Sequence, residues 1–214
     1  MFIRKVSVFL HATFHTQTAM PLQKPMQNLI KYIKSKISIT QKDIDLIETY
    51  FIPVDISAQT NILKAGKIER YIYFLSSGIV KGFKNIDGKL IVEHLVDEQN
   101  FFSSLDSFIS ETPAIDYFET ITDCKLLKIS KPDFDLLRED GNFWSNFFEV
   151  VTNEHLSCKM ERVRDFQTLT AKERYIKFVN RMPHLALNVS VENIASFLGM
   201  EPQSLSRIRK QVTF

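Results

Sequence analysis

The sequence predicts an α+β chain: a helical start, an antiparallel β unit of sandwich or roll type, one long helix, and a basic helical end. Three observations carry this. Apolar positions between Gln27 and Phe51 recur at helical spacings. From Pro53 to Ile129, short aromatic and β-branched runs alternate with Gly-containing turns. After Gly141 the chain runs to about Gln167 without Gly or Pro.

Each element has a local reason. Leu29, Ile30, Ile33 and Ile37, then Ile44, Leu46, Ile47 and Tyr50, form two helical stripes. Thr40 with Asp43 three residues later is a capping box for the second, since each side chain can serve an orphan amide. In the β unit, Ala65-Gly66, Ser77-Gly78 and Asp87-Gly88 punctuate runs such as Tyr71–Leu75 and Leu90–Val92. Asp-Gly between two such runs predicts a hairpin, because a type I′ turn needs positive φ at both positions. Tyr117–Ile129 supplies one or two more strands. Ser130-Lys131-Pro132-Asp133 places a capping Ser, an early Pro and an acid at a helix start. The long helix that follows carries Phe147, Val151, Leu156 and Val163, the candidate interface with a second copy in coiled-coil fashion. Thr170 and Glu173 form a further capping box, opening a segment at Tyr175–Met182.

The chain has 214 residues, 44% hydrophobic and 24% charged, an ordinary globular composition with a large core. Its 18 Phe point to aromatic anchors in that core or at an oligomer seam. No apolar run reaches the ~18 residues of a membrane span, so a cytoplasmic protein is expected. Two Cys, Cys124 and Cys158, are too few for a disulfide framework or a four-thiolate cluster. The short apolar run Val6–Leu10 is a poor signal peptide, and residues 1–20 read as an extension, with Met20 a candidate start. Charge is uneven. Pro21–Cys158 has 15 Lys and Arg against 20 Asp and Glu, while Lys159–Phe214 has 10 against 5. A basic end on an acidic body suits a nucleic-acid-binding unit attached to a sensing or scaffold domain.

Val191–Arg209 is the most informative stretch. Read as a helix-turn-helix, it puts small Ala195 at the helix crossing and Gly199 at the turn. Ile194, Leu198, Leu205 and Ile208 form the apolar seam, Ser190 caps the first helix, and Pro202 opens the second. Gln203, Ser204, Ser206, Arg207, Arg209 and Lys210 are the candidate DNA contacts. Gln can bond adenine bidentately and Arg the guanine O6/N7 pair, while Ser and Lys can hold phosphates. Glu201 stands at the cap position, where Ser, Thr or Asp would serve better, and its charge opposes DNA phosphates.

Beyond residue 20 the chain resembles the Crp/Fnr family of bacterial transcription regulators. The marks are Leu63-Lys-Ala-Gly66, Tyr71-Ile-Tyr-Phe-Leu75 before Gly78, Asp87-Gly88-Lys89, the long helix, and Pro202-Gln-Ser-Leu-Ser-Arg-Ile-Arg-Lys210. The resemblance implies a jelly-roll sensor domain like that of cyclic-nucleotide-binding proteins at 21–141, a dimerisation helix at 142–168, and a winged-helix-type DNA-binding domain at 169–214. It also implies double-stranded DNA and a second copy as partners, with RNA polymerase a further candidate. Gln203 and Arg207 match the family's base-reading positions. The chain's last residues leave a minimal wing, which favours an alternative: a β-roll binding or interaction module that no longer reads DNA.

The sensor pocket, Phe102, Ser103, Ser104 and Ala114, departs from the family pattern. Ser104 stands where the Glu of a Gly-Glu-Leu element would hold the ribose. Ala114 stands where an Arg would neutralise the phosphate. Asp116 and Glu119 are the nearby charges. Cyclic AMP and cyclic GMP are therefore expected not to bind, and the effector is left unnamed. Two Cys cannot hold the family's iron–sulfur cluster. His94 is a haem ligand by type only and reads as structural, as do His155 and Cys158 on the long helix. No cofactor or metal is expected. No carboxylate pair, nucleophile elbow or phosphate-cradling glycine loop suggests an enzyme.

Overall fold

A computed structural model describes residues 24–139 and 141–212. The extension at 1–20 lies outside them. Two helices open the chain, α1 (Lys24–Lys36) and α2 (Gln41–Tyr50). The Thr40 and Asp43 capping box forms as the sequence predicts. Six strands follow: β1 (Ile52–Ile56), β2 (Asn61–Leu63), β3 (Tyr71–Ser77), β4 (Val80–Ile86), β5 (Lys89–Val96) and β6 (Asn100–Phe102). A short helix, α3 (Leu105–Ser110), separates them from β7 (Tyr117–Thr120) and β8 (Cys124–Ser130). Then come α4 (Lys131–Glu139), α5 (Asn142–Thr168), α6 (Ala171–Arg181), α7 (Pro183–Asn188), α8 (Val191–Phe197) and α9 (Pro202–Gln211).

The strands form two antiparallel sheets, ordered β1-β8-β3-β6 and β2-β7-β4-β5. This is the jelly roll that the resemblance implies. The β4–β5 turn has φ of 51° at Asp87 and 83° at Gly88, as a type I′ hairpin requires. Between the sheets lie Leu63, Tyr73, Leu75, Phe102, Phe118 and Leu126. On the outer face of the first sheet, α1, α2, α4 and the start of α5 bury an aromatic group that includes Phe74, Phe101, Trp144 and Phe147. Tilted and edge-on ring pairs, such as Phe101–Phe147 at 5.8 Å, hold it together.

Here the structure divides the predicted dimer stripe. Phe147 and Val151 are buried in the chain's own core, at 0% and 8% exposure, because α5 begins packed against the roll. Leu156 and Val163, further along the same helix, stay exposed. The sequence reading also missed α3 and α7.

A third cluster joins the second sheet to the C-terminal helices. Phe83, Val92 and Leu95 share it with Tyr175, Phe178, Ile194, Leu198 and Leu205. The helix-turn-helix is therefore docked on the roll.

Candidate nucleic-acid interface and sensor pocket

The Ser190 side chain accepts from Asn193 N at 3.3 Å and starts α8. Ala195, fully buried, lets α8 and α9 cross closely, and Gly199 turns the chain between them with φ of 63°. Ile194, Leu198 and Leu205 are buried along the seam, with Ile208 packed against them. Arg174 of α6, which the sequence reading did not single out, braces the turn. Its guanidinium donates to Leu198 O at 3.0 Å and to Leu169 O at 2.7 Å. A lone Arg after a capping box carries no sequence sign of that role.

On α9, Gln203, Ser206, Arg207 and Lys210 are exposed, and Ser204 is half-buried. The first four fall at i, i+3, i+4 and i+7 and share one face. Arg209 faces elsewhere. Its guanidinium lies 5.7 Å from the Tyr175 ring centroid and donates to Ala186 O at 3.4 Å. Two residues on from Arg207, it is turned some 200° around the helix, which takes it off the predicted reading face. Glu201 makes no side-chain cap bond and stands 4.0 Å from Lys89 of the hairpin.

Of the predicted pocket residues, Phe102, Ser104 and Ala114 are buried and Ser103 is half-buried. Phe102 stacks on Tyr73 at 5.1 Å and lies 5.4 Å from the Phe118 ring. Ser103 donates to Tyr71 O at 3.0 Å, and Ser104 to the Asp116 carboxylate at 2.6 Å. Ala114, 5% exposed, pairs through its backbone with Gly66 and Lys67. Beside them lies Glu69, 3% exposed, which the sequence reading also missed. Burial pushes its pKa up to about 7, against hydrogen bonds from the amides of Tyr71 and Arg70, and the charge of Asp116 adds to the rise. Its Oε2 is buried without a hydrogen-bond partner among the described residues.

His94 packs on Phe118 at 5.9 Å, and desolvation reinforced by Lys159 and Arg162 pushes its pKa down to about 3. His155 and Cys158 belong to no group of three or more His, Cys, Asp or Glu placed to hold a metal among the described residues. Among those residues, too, no helix is long and apolar enough to cross a membrane.

Residues 53–140 match the cyclic nucleotide-binding domain family. No curated protein matches the chain by sequence. Solved structures share its fold at low identity. The c-di-GMP-responsive global regulator CLP of Xanthomonas campestris is 17% identical, with 80% of this chain and 91% of that one covered and a TM-score of 0.63. FixK2 of Bradyrhizobium japonicum is 19% identical, with 75% and 83% covered and a TM-score of 0.65. A CooA variant from Carboxydothermus hydrogenoformans is 14% identical, with 86% and 83% covered and a TM-score of 0.64. Residues 53–140 thus resemble a cyclic nucleotide-binding domain, and with its C-terminal helices the chain shares the fold of the Crp/Fnr regulator structures.

Proposed function

We propose that the protein is a homodimeric, sequence-specific DNA-binding transcription regulator that does not depend on a cyclic nucleotide. The α9 face carries the reading: Gln203, Ser206, Arg207 and Lys210 are exposed together on the second helix of a braced helix-turn-helix. They are the side chains that read adenine and guanine edges and hold phosphates in the major groove.

Dimerisation is supported by Leu156, Met160 and Val163 of α5, which are 56%, 59% and 52% exposed at i, i+4 and i+7. A second copy laid along this stripe would bury it as a coiled-coil seam. Two-fold symmetry would then present the α9 helices to successive major grooves about 34 Å apart. RNA polymerase is the partner on which a regulator bound to DNA would act.

Independence from cyclic nucleotides rests on charge. A phosphate in the roll would approach Asp116 and Glu69, with Ala114 in place of a guanidinium.

The test is selection of random duplexes by the purified protein at near-physiological salt with no nucleotide added. An enriched inverted repeat with half-sites one helical turn apart is expected. Retention of duplexes without sequence preference, with or without cyclic AMP, would overturn the reading and leave a β-roll module as the alternative.

A further inference from the structure

Strand β5 is the outer strand of its sheet, so one row of its backbone groups faces away from β4. That row is not bare. Val92 N donates to Ser196 Oγ of α8 at 2.9 Å, and the same hydroxyl donates to Leu90 O at 3.1 Å. The strand then bulges: Phe83 faces Val92 and Gly82 faces His94, leaving Glu93 as an extra residue. The bulge offers the Val92 and Glu93 carbonyls to one neighbour. Arg162 of α5 takes both, one terminal nitrogen donating to Glu93 O and the other to Val92 O at 3.3 Å.

The Arg162 guanidinium also lies 4.4 Å from the Phe197 ring centroid of α8 and 5.3 Å from that of Phe166. One side chain thus spans the roll, the long helix and the helix-turn-helix. Gln203 and Arg207 of α9 are exposed in this docked arrangement.

We propose that Arg162 and Ser196 are positioning residues for DNA reading, holding α8 and α9 in their DNA-competent orientation on the margin of β5 through contacts the chain itself supplies. The inference rests on the DNA-reading function proposed above. The physical reason is reciprocal satisfaction. Leu90 O, Val92 N, Val92 O and Glu93 O are answered from outside the sheet by two side chains. If α8 lifts away, Leu90 O and Val92 N lose Ser196, and the Arg162 guanidinium, still bound to the Val92 and Glu93 carbonyls, loses the Phe197 ring.

Lys89 and Glu201 report the docked state, because their Nζ and Oε1 atoms are 4.0 Å apart and both side chains are 72% exposed. A water-soluble carbodiimide activates the Glu201 carboxylate. The Lys89 amine then displaces the activating group as a urea, leaving an amide whose peptide pair is read by mass spectrometry. The experiment uses the full chain without added nucleotide, with Lys89→Ala as the control that cannot form this link.

The wild type should give the 89–201 link, and the linked fraction should hold the selected DNA site within about threefold of the unlinked protein. Arg162→Ala and Ser196→Ala should cut the link yield at least fivefold and weaken specific DNA binding at least tenfold at unchanged helical content. Arg162→Lys should behave like Arg162→Ala, since it keeps charge but not the fork. Ser196→Thr, which keeps the hydroxyl, should restore both readouts.

Loss of DNA binding on linking would overturn the proposal by making the docked state the silent one. Undiminished link yield in the Arg162→Ala, Ser196→Ala double variant would overturn it too. A normal link in a protein that binds no DNA sequence would instead remove the DNA-reading function on which the proposal stands.

Discussion

A Cβ added to Gly199 would stand 2.6 Å from Cε1 of Phe166, so the helix-turn-helix turn and the far end of α5 meet with no spare room. The same glycine holds φ of 63°. Two demands, backbone conformation and close approach, fall on one residue. Gly199→Ala should therefore destabilise the protein by about 1–3 kcal/mol. Thermal unfolding followed by circular dichroism measures this, and an unchanged Tm would contradict the contact.

Arg207 and Arg209 are two residues apart and should separate cleanly by phenotype. Arg207→Ala should weaken specific DNA binding by about 1–3 kcal/mol and relax preference at one base per half-site, with unchanged Tm. Arg209→Ala should lower Tm instead, because its guanidinium covers Tyr175 and bonds Ala186 O. Gel-shift titrations on single-base variants of the site, run beside melting curves, distinguish the two.

Charge placed on the exposed stripe of α5 should split the proposed dimer. The Leu156→Asp, Val163→Asp double variant, altering side chains 56% and 52% exposed, should sediment as a monomer. It should bind an inverted repeat at least tenfold more weakly, and a dimer at micromolar concentration would refute the seam.

Buried Glu69 and half-buried His94 should bend the stability profile in opposite directions. The Glu69 pKa rises from 4.5 to about 7, so between those values the folded state keeps a proton that the unfolded chain has released. Stability from this group is complete below pH 4.5 and is lost as pH rises through 7, by about 3 kcal/mol. The His94 pKa falls from 6.5 to about 3, so stability from this group is lost as pH falls through that range. Denaturant titrations across pH should show Glu69→Gln removing the first slope and His94→Gln the second. Identical profiles for wild type and both variants would contradict the burial argument.

Much of this architecture was legible where a local rule decides the structure. Thr40 with Asp43 and Thr170 with Glu173 form their capping boxes, Asp87-Gly88 makes its hairpin, and Gly199 makes its turn. In each case the demand and the residue that meets it lie within a few positions. Residues judged by tertiary surroundings were not legible. Phe147 and Leu156 look alike in an apolar helix pattern, yet one meets Trp144 and Phe101 while the other meets solvent. Helix α3 is short, and its Leu105-Asp-Ser-Phe-Ile-Ser110 pattern is too brief for periodicity to reveal. Arg209 looked like a DNA contact by composition, and only the helix's rotation against α6 turned it inward.

The contact between α8 and β5 has a consequence for the soluble state. An uncovered outer strand is a template on which another polypeptide can add hydrogen bonds and start sheet-to-sheet stacking. Ser196 and Arg162 occupy that template at Leu90, Val92 and Glu93, and the bulge at Glu93 breaks its flatness. A truncated roll lacking the long helix and the helix-turn-helix should therefore expose these backbone groups and aggregate more readily than the intact chain.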